Sequence, residues 1–223
     1  KYDGTKYIKR DVWNDPLAFP GANGDGYLMY PGKTPEDDPI PTLRLEMIRQ
    51  GNEDFETLYI LQSRYASLTK QLGLSKDEYD PHTRIADIVG NFGVSLPKWK
   101  ADGALLEAVR KNVFQEIDSV LTGPKVLLSS SVPANAATLE KTATIKLWAE
   151  KGAKITAKLI NGNSSQIVPL KFSSVSDKKT QKAVFDINIS DNSTKLIIQA
   201  SKGSSRKTLT RVFKTYSEKP IVF

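Results

Sequence analysis

A change in hydrophobic period near residue 124 constrains this chain more than any other feature. Before it, apolar residues recur at helical spacing, as they do from Leu105 to Leu121. Gly123-Pro124 then ends the helical pattern. From Lys125 onward, apolar and polar residues alternate, which is typical of half-buried strands. The sequence therefore predicts two regions, one mainly helical and one built from strands.

The second region contains seven predicted strands. Asn161-Gly162 is a strong signal for a two-residue hairpin. Turns also fit Lys151-Gly152 and Lys202-Gly203. Seven short alternating strands over about a hundred residues are typical of an immunoglobulin-like or fibronectin-like β-sandwich. The predicted strands lie near residues 126–131, 142–149, 154–160, 165–175, 181–189, 194–200 and 206–216.

The charge distribution supports the same division. The net charge of +7 combines 15 basic and 19 acidic residues in 1–124 with 17 basic and 6 acidic residues in 125–223. A basic region suggests nucleic-acid binding. However, its lysines alternate with apolar residues, as on the solvated face of a sheet, and its only arginines are Arg206 and Arg211, although base recognition favours arginine. We therefore predict no nucleic-acid partner, and a basic module for nucleic acid or acidic polymers stays only as a third interpretation.

Several classes of function are disfavoured by composition. The chain has no cysteine, which excludes disulfides, thiol catalysis and zinc-thiolate sites. No stretch approaches the roughly 18 apolar residues of a membrane helix, so no membrane span is predicted. The acidic run Glu36-Asp37-Asp38 lacks the spacing of a calcium loop, and the only histidine, His82, lies in a polar stretch typical of a protein surface. We predict no metal and no cofactor.

The first region predicts a long helix between Thr42 and Gly73. Thr42 is a good N-cap and Gly73 a good C-terminal signal. Gly51, inside the helix, indicates close approach of another backbone. A glycine turn and a short strand at 27–30 precede the helix, so this stretch predicts a βα corner. Apolar residues fall near one helical face: Leu43, Met47, Leu58, Leu61, Tyr65 and Leu68.

Two motifs in this stretch resemble a known family. Residues 23–32 read NGDGYLMYPG, and residues 42–59 read TLRLEMIRQGNEDFETLY. Together they resemble the family-123 glycoside hydrolases and a related domain of unknown function, which carry "NGDG-L-YPG", a gap, and then "S-IRLE-IRDG-EDYEYL-LL". This chain differs at Thr42, Gln50 and Phe55, where the family has Ser, Asp and Tyr.

The resemblance implies a fold and a function. It covers residues 11–70 well and 100–124 loosely, and in the family this stretch closes a (β/α)8 barrel. We therefore expect an α+β multidomain fragment of a bacterial glycoside hydrolase, secreted or at the cell surface. Its expected partners are a carbohydrate substrate and a missing N-terminal part of the same protein. The expected domains are the last loop and helix of the barrel at 1–73, a helical extension at 74–124 and an immunoglobulin-like sandwich at 125–223.

The resemblance also implies where the catalytic groups lie. Family-123 enzymes remove N-acetylgalactosamine by substrate-assisted retention, with an adjacent Asp-Glu pair on an earlier barrel strand. This pair is then expected upstream of Lys1, and the chain alone is expected to be inactive. Asp77-Glu78 lies outside the matching motifs and is not assigned this role. Glu46 and Asp54 lie about 12 Å apart along a helix, which does not suit paired catalytic carboxylates.

Residues 1–41 would border the substrate cleft if they form the loop after the last barrel strand, because barrel active sites lie at the C-terminal ends of strands. Trp13 would then stack on a sugar ring, and polar side chains would bind hydroxyls. Each residue also has a structural interpretation, since Asp25 between two glycines suits a turn and the aromatic rings suit a core. The candidate substrate-binding residues are Trp13, Asn14, Asp15, Asp25 and Tyr30.

The charged residues of the long helix favour a structural role. Arg49 is spaced i,i+3 from Glu46 and i,i+4 from Glu53, so both pairs would form ion pairs. A salt-bridged helix that holds the preceding loop is preferred over contact with substrate. The candidate residues for this structural support are Arg44, Glu46, Arg49, Glu53 and Asp54.

An alternative is a non-catalytic module that binds carbohydrate or a cell surface. Trp148 lies among the lysines of a predicted strand and would be the sugar platform. An exposed Trp148 would favour this alternative, whereas a buried one would favour a sandwich that acts as a spacer.

Overall fold

The computed structural model describes residues 28–90, 92–95, 98–99, 102–132, 134, 137–174, 179–190 and 193–215. These residues form an α+β structure with three helices and mainly antiparallel sheets. The chain divides between Glu56 and Thr57 into two compact units, which we describe separately. In the part of the chain that is described, no helix is long and apolar enough to cross a membrane. The helices are α1 (Leu43–Gln71), α2 (His82–Val89) and α3 (Gly103–Ser119).

The first unit contains a short hairpin and the start of α1. Strands β1 (Met29–Tyr30) and β2 (Ile40–Pro41) pair antiparallel. Thr42 joins them to the helix, because its backbone N–H and its hydroxyl both donate to the Leu28 carbonyl at 2.9 Å. Its Oγ1 also accepts a long hydrogen bond of 3.4 Å from the Leu45 N–H, so the predicted N-cap is confirmed. The described residues of this unit show no parallel strand pair, and the barrel fragment stays a prediction.

The C-terminal end of α1 lies in the second unit and matches its prediction. Gly73 adopts a φ of +69°, a conformation that favours glycine. The N–H of Gly73 donates to Lys70 O, and that of Leu74 donates to Thr69 O, in the pattern of a Schellman motif. The buried hydroxyl of Thr180 donates to the Leu72 carbonyl at 2.5 Å. The helix therefore ends at the glycine and is tied there to a strand of the second region.

The second unit contains a sandwich of two sheets. The four-stranded sheet has the order β10-β11-β7-β5 and is antiparallel. The five-stranded sheet has the order β6-β13-β12-β8-β9 and is antiparallel except for the β6-β13 pair. Separately, β3 (Gly93–Ser95) pairs with β4 (Lys98–Trp99). The sandwich strands are β5 (Val126–Ser130), β6 (Ala137–Thr138), β7 (Thr142–Glu150), β8 (Lys154–Asn161), β9 (Ser164–Val168), β10 (Phe172–Ser174), β11 (Thr180–Asn188), β12 (Thr194–Lys202) and β13 (Ser205–Thr215).

The sandwich confirms most of the predicted strands and corrects one. The predicted β8-β9 hairpin is present, but its two-residue loop is Gly162-Asn163, one residue later than predicted, because Asn161 pairs with Ser164. Gly162 has a φ of +57°. The strand predicted over 165–175 is instead two strands, β9 and β10, which belong to different sheets. Pro169 lies between them, and because proline has no N–H it cannot continue a ladder on both sides. The chain crosses from one sheet to the other at this point.

The core between the two sheets follows from the alternation in sequence. Inward side chains of β7 and β12 are almost fully buried, whereas most of their neighbours in sequence point away from this core. The core is contiguous across both sheets, as expected for a sandwich. Its largest members include Ile145, Leu147, Leu159, Leu196, Ile198 and Phe213.

A second apolar cluster joins the helices to the outer face of the four-stranded sheet. Leu127 of β5 and Trp148 of β7 are cross-strand partners on that face, and both are buried. The cluster links these two residues to side chains of all three helices. The sequence break near residue 124 thus separates helices from strands, but side chains from both sides of the break share this apolar cluster. The predicted domain boundaries stay predictions. The helical members include Leu61, Tyr65, Leu68, Ile88 and Val113.

Candidate functional site

The predicted cleft residues are mostly outside the described part of the chain. This applies to Trp13, Asn14, Asp15 and Asp25. Tyr30 lies in β1, is half-buried and pairs across the hairpin with Ile40. The substrate-binding role of all five residues stays a prediction.

The predicted ion pairs on α1 are both present. Arg49 Nε donates to Glu46 Oε2 at 2.9 Å, and Arg49 Nη1 donates to Glu53 Oε1 at 2.7 Å. The hydrogen bond and charge of Glu46, followed by those of Glu53, raise the pKa of Arg49. Arg44 is exposed and Asp54 is half-buried on the same helix. Because α1 is unbroken from Leu43 to Gln71, Glu46 and Asp54 keep their separation of about 12 Å and do not form a glycosidase pair.

The first half of α1 carries large apolar side chains that are exposed. At about 3.6 residues per turn, Leu43 and Met47 fall on the same face as Leu61 and Tyr65. The latter two are buried, yet Leu43 is 77% exposed. Ile48, Phe55 and Tyr59 are exposed as well, further round the helix. We call the five exposed residues, which together span about 160° of the helix circumference, the α1 apolar face: Leu43, Met47, Ile48, Phe55 and Tyr59. Gly51 lies among them, and a methyl group added there would contact none of the described atoms within 4 Å.

A cluster of charged side chains lies buried where three helices meet β13. Arg84 of α2 donates to both carboxylate oxygens of Glu116 on α3, at 2.7 and 2.6 Å. The Tyr65 hydroxyl of α1 also donates to Glu116. Arg211 of β13 adds an ion pair at 3.8 Å from the same carboxylate. Asp87, one turn after Arg84, accepts from the Ala134 N–H at 3.1 Å. The cluster therefore connects α1, α2, α3 and the five-stranded sheet.

The electrostatics of this cluster keep Glu116 charged near neutral pH. Burial by itself would raise the pKa of Glu116, but the hydrogen bonds and charge of Arg84, with the charge of Arg211, lower it to about 2. Burial, and then the charge of Glu116, raises the pKa of Tyr65 to about 12. A general acid needs a pKa near the working pH. Glu116 therefore does not suit the role of a catalytic proton donor and acts as a structural brace.

Stability should depend on pH through this brace. Glu116 is more acidic in the folded chain than its ordinary value of 4.5, so the folded state binds fewer protons. The stabilisation is complete above about pH 4.5 and is lost as the pH falls towards 2. We expect unfolding experiments in urea to show a loss on the order of 3 kcal/mol over this interval, since each pKa unit corresponds to about 1.4 kcal/mol. If Glu116→Gln left this acid limb unchanged, the assignment to Glu116 would be wrong.

Sequence reasoning missed this cluster because its members come from distant segments. Arg84 lies in a stretch with weak patterning, and Arg211 lies in the region whose lysines the alternation predicts to be solvated. One signal was present. Glu116 follows Val113 by three residues and precedes Ile117, so it lies beside the apolar face of α3. A carboxylate beside an apolar face indicates a buried ion pair, but the sequence does not identify the partner.

The prediction that Trp148 forms a sugar platform is wrong, because its side chain is buried. Its side chain is only 1% exposed and packs edge-on against Tyr79, with ring centroids 5.8 Å apart. Lys182 lies over the indole at 5.5 Å from the ring centroid. The strand alternation correctly placed Trp148 on the outer face of its sheet. That face is covered by the helices, however, so the ring is buried and not available to a sugar.

His82 lies at the surface, as predicted. It is exposed and borders a cavity of about 490 Å³ that also touches Gln62, Tyr79 and Asp80. Its Nε2 is 3.2 Å from Gln62 Nε2, and its backbone N–H donates to Asp80 Oδ1. Within the described ranges, no group of three His, Asp or Glu residues is arranged to hold a metal ion. Asp37 of the acidic run instead accepts a hydrogen bond from the Thr34 N–H in a tight turn.

The fold and these contacts define an α+β protein with a helix-covered β-sandwich. No protein-family model matches the sequence, and no curated protein matches it. Among solved structures, the chain is similar to PcoC, a methionine-rich copper resistance protein from Escherichia coli. The match has 14% identity and a TM-score of 0.27, and it covers 43% of this chain and 100% of that chain. A TM-score this low carries no argument about the fold or function of this chain.

Proposed function

We propose that this chain is the C-terminal part of a bacterial glycoside hydrolase-like protein that acts on N-acetylgalactosaminides or related glycans outside the cell or at its surface. The proposal combines the motif resemblance at residues 11–70 with the α1 apolar face. In this proposal, residues 1–73 complete a catalytic (β/α)8 barrel and residues 125–223 form an accessory immunoglobulin-like sandwich.

The α1 apolar face is the observation that carries this proposal. Soluble proteins rarely expose large contiguous apolar patches unless they contact another surface. Burial of one such side chain contributes about 1.5–3 kcal/mol. Leu61, Tyr65 and Leu68 near the C-terminal end of the same helix are buried within the described structure, whereas the residues of the α1 apolar face are not. In the resembling family, this helix lies on the wall of the barrel, so we assign the exposed face to the barrel of the same polypeptide.

The strand order of the sandwich supports its immunoglobulin-like assignment. The four-stranded sheet corresponds to strands A, B, E and D of an immunoglobulin domain, and the five-stranded sheet corresponds to strands C, F and G with flanking strands. Because Trp148 is buried, the sandwich lacks the aromatic platform that the alternative function required. An accessory or spacer role therefore suits it better than binding of neutral sugars through Trp148.

The proposed division of chemistry follows from the resemblance. The proton donor and the group that orients the acetamide come from earlier barrel strands. Trp13 would stack on the sugar, with Asn14, Asp15, Asp25 and Tyr30 at the edge of the cleft. Glu116, the most perturbed carboxylate among the described residues, is saturated by Arg84 and Tyr65 and takes no part in the reaction.

Two matched variants test the proposal in the intact protein. Phe55 on α1 is 70% exposed and Phe114 on α3 is 57% exposed. Phe55 has the apolar face around it, whereas Phe114 lies one turn from Lys111 and Asp118. We expect Phe55→Asp to reduce hydrolysis of an aryl N-acetylgalactosaminide at least about tenfold and to lower the unfolding midpoint, because a buried unpaired charge costs several kcal/mol. Phe114→Asp should change neither property.

Two results of the same assay would contradict the proposed function. Equal activity and stability for Phe55→Asp and Phe114→Asp would show that the α1 apolar face has no occupant and would remove the main support for the barrel. An intact protein that folds but hydrolyses no N-acetylhexosaminide would contradict the proposed activity itself.

A further inference from the structure

The five-stranded sheet has an unusual charge composition. Its described strands contain eight basic residues and no acidic residue. The four-stranded sheet, in contrast, has two basic residues, Lys146 and Lys182, and two acidic ones, Glu150 and Asp186. A solvated surface that only needs solubility carries both signs of charge. The basic residues are Lys154, Lys158, Lys195, Lys202, Arg206, Lys207, Arg211 and Lys214.

The register places five of these cations on the outer face of the five-stranded sheet: Lys154, Lys158, Lys195, Arg206 and Lys214. Leu196, Ile198 and Ala200 of β12 are buried in the sandwich core, so the residues between them point outward. Lys202 is paired with Glu150 at 2.6 Å, and Lys207 and Arg211 lie opposite inward residues. Three rows of outward residues cross β8, β12 and β13: Lys154, Ser201 and Arg206; Thr156, Gln199 and Thr208; and Lys158, Ile197 and Thr210.

This outer face contains a groove of about 320 Å³. Lys154 and Arg206 lie at the two ends of the row Lys154–Ser201–Arg206. They are two strands apart, which corresponds to roughly 10 Å. Between them, hydroxyl and amide groups of Thr156, Gln199 and Thr208 line the second row. The groove therefore offers separated positive charges with neutral hydrogen-bonding groups between them.

The side chains of this groove define the class of ligand. Lysine is a point charge that attracts carboxylate, sulfate or phosphate without geometric selectivity. The outward positions of the described strands carry no aromatic ring, so stacking on neutral sugars or on unpaired bases is not available. Only Arg206 offers the planar group that reads base edges. Hydroxyl and amide groups between cations suit a chain of hydroxyl-bearing units with acidic substituents.

We propose that the outer face of the five-stranded sheet binds an acidic polysaccharide, that is, a glycan chain bearing carboxylate or sulfate groups. The choice of a polysaccharide over another polyanion rests on the proposed glycan-directed function. Binding by this face is separate from hydrolysis, so the two properties can be lost independently. The sandwich would hold the protein on an acidic glycan while the remaining part of the polypeptide acts on it.

Binding of dextran sulfate and neutral dextran by the full chain tests this proposal, because the two polymers share a backbone and differ in charge. At low ionic strength, dextran sulfate should bind and dextran should not. Lys154→Gln with Arg206→Gln should weaken binding about five- to tenfold, since each exposed ion pair contributes up to about 1 kcal/mol. The control pair Lys141→Gln with Lys146→Gln removes the same charge from exposed positions at the other sheet and should change binding less than twofold.

Three results would overturn the proposal. Equal binding of dextran and dextran sulfate would remove the role of charge. Equal losses of affinity for the two double variants would show that binding depends on the net charge of the chain and not on this face. Tighter binding of duplex DNA than of dextran sulfate at matched charge concentration would assign the face to nucleic acid instead. Unchanged unfolding midpoints for both double variants confirm that binding, and not folding, is compared.

Discussion

Replacing Trp148 by alanine is expected to lower the free energy of unfolding by about 3–5 kcal/mol, as for other large aromatic side chains removed from a core. Trp148 is almost fully buried between the four-stranded sheet and the helices. Its removal would leave a cavity beside Leu127 and Tyr79 and would also remove the contact with Lys182. Chemical denaturation followed by circular dichroism at helical and β wavelengths measures this loss.

Trp148→Phe provides the matched control. Among the described residues, the indole N–H has no hydrogen-bond partner, so phenylalanine sacrifices no hydrogen bond and keeps an aromatic ring. We expect it to cost less than about half as much as alanine. Helical and β signals should be lost in one transition, because helices and sheet share this cluster. A cost for Trp148→Ala below about 1 kcal/mol, or two separate transitions, would show that the helices do not depend on the sheet.

Replacing Glu116 by glutamine is expected to have an effect of similar size. The change leaves Arg84 and Arg211 buried without the carboxylate that both contact. Removing one partner of a buried ion pair costs about 3–5 kcal/mol, because the remaining charge stays desolvated. Urea denaturation near neutral pH measures the loss.

The control for Glu116 lies on the same helix. Glu107 pairs with Arg110 at i,i+3 but is largely exposed, so Glu107→Gln should change stability by about 0.5 kcal/mol or less. Combining Arg84→Met with Glu116→Gln should cost less than the sum of the single changes, because the stranded charge of Arg84 is removed. Strict additivity would mean that the Arg84–Glu116 contact does not couple the two helices, which would contradict the brace.

The α1 apolar face and the basic sheet face differ in the kind of partner that each can bind. The α1 apolar face suits contact with another protein surface, because such contact removes its exposed apolar side chains from water. The basic face calls for a hydrated polyanion, because its cations lie on an exposed sheet with polar groups between them. The two faces therefore point to two different occupants.

Local patterns determined the elements of this protein. Thr42 and Gly73 limit α1 because a hydroxyl and a left-handed glycine satisfy helix ends within a few residues of sequence. The ion pairs of Arg49 follow in the same way from helical spacing. Alternation likewise predicted most strands of the sandwich, but it missed the two-residue strand β6 and the division of β9 from β10 at Pro169.

The tertiary structure decided what those elements face. Trp148 lies on the side of β7 that alternation predicts, but whether that side meets water or helices depends on packing against segments that are distant in sequence, such as α1 and Tyr79. The partners of Glu116 come from α1, α2 and β13, and no local pattern relates them. Burial and charge pairing are properties of neighbours in space. The sequence alone therefore determined the helices, the strands and most of the turns, and only the fold determined which polar and aromatic side chains are buried and which lie on an open face.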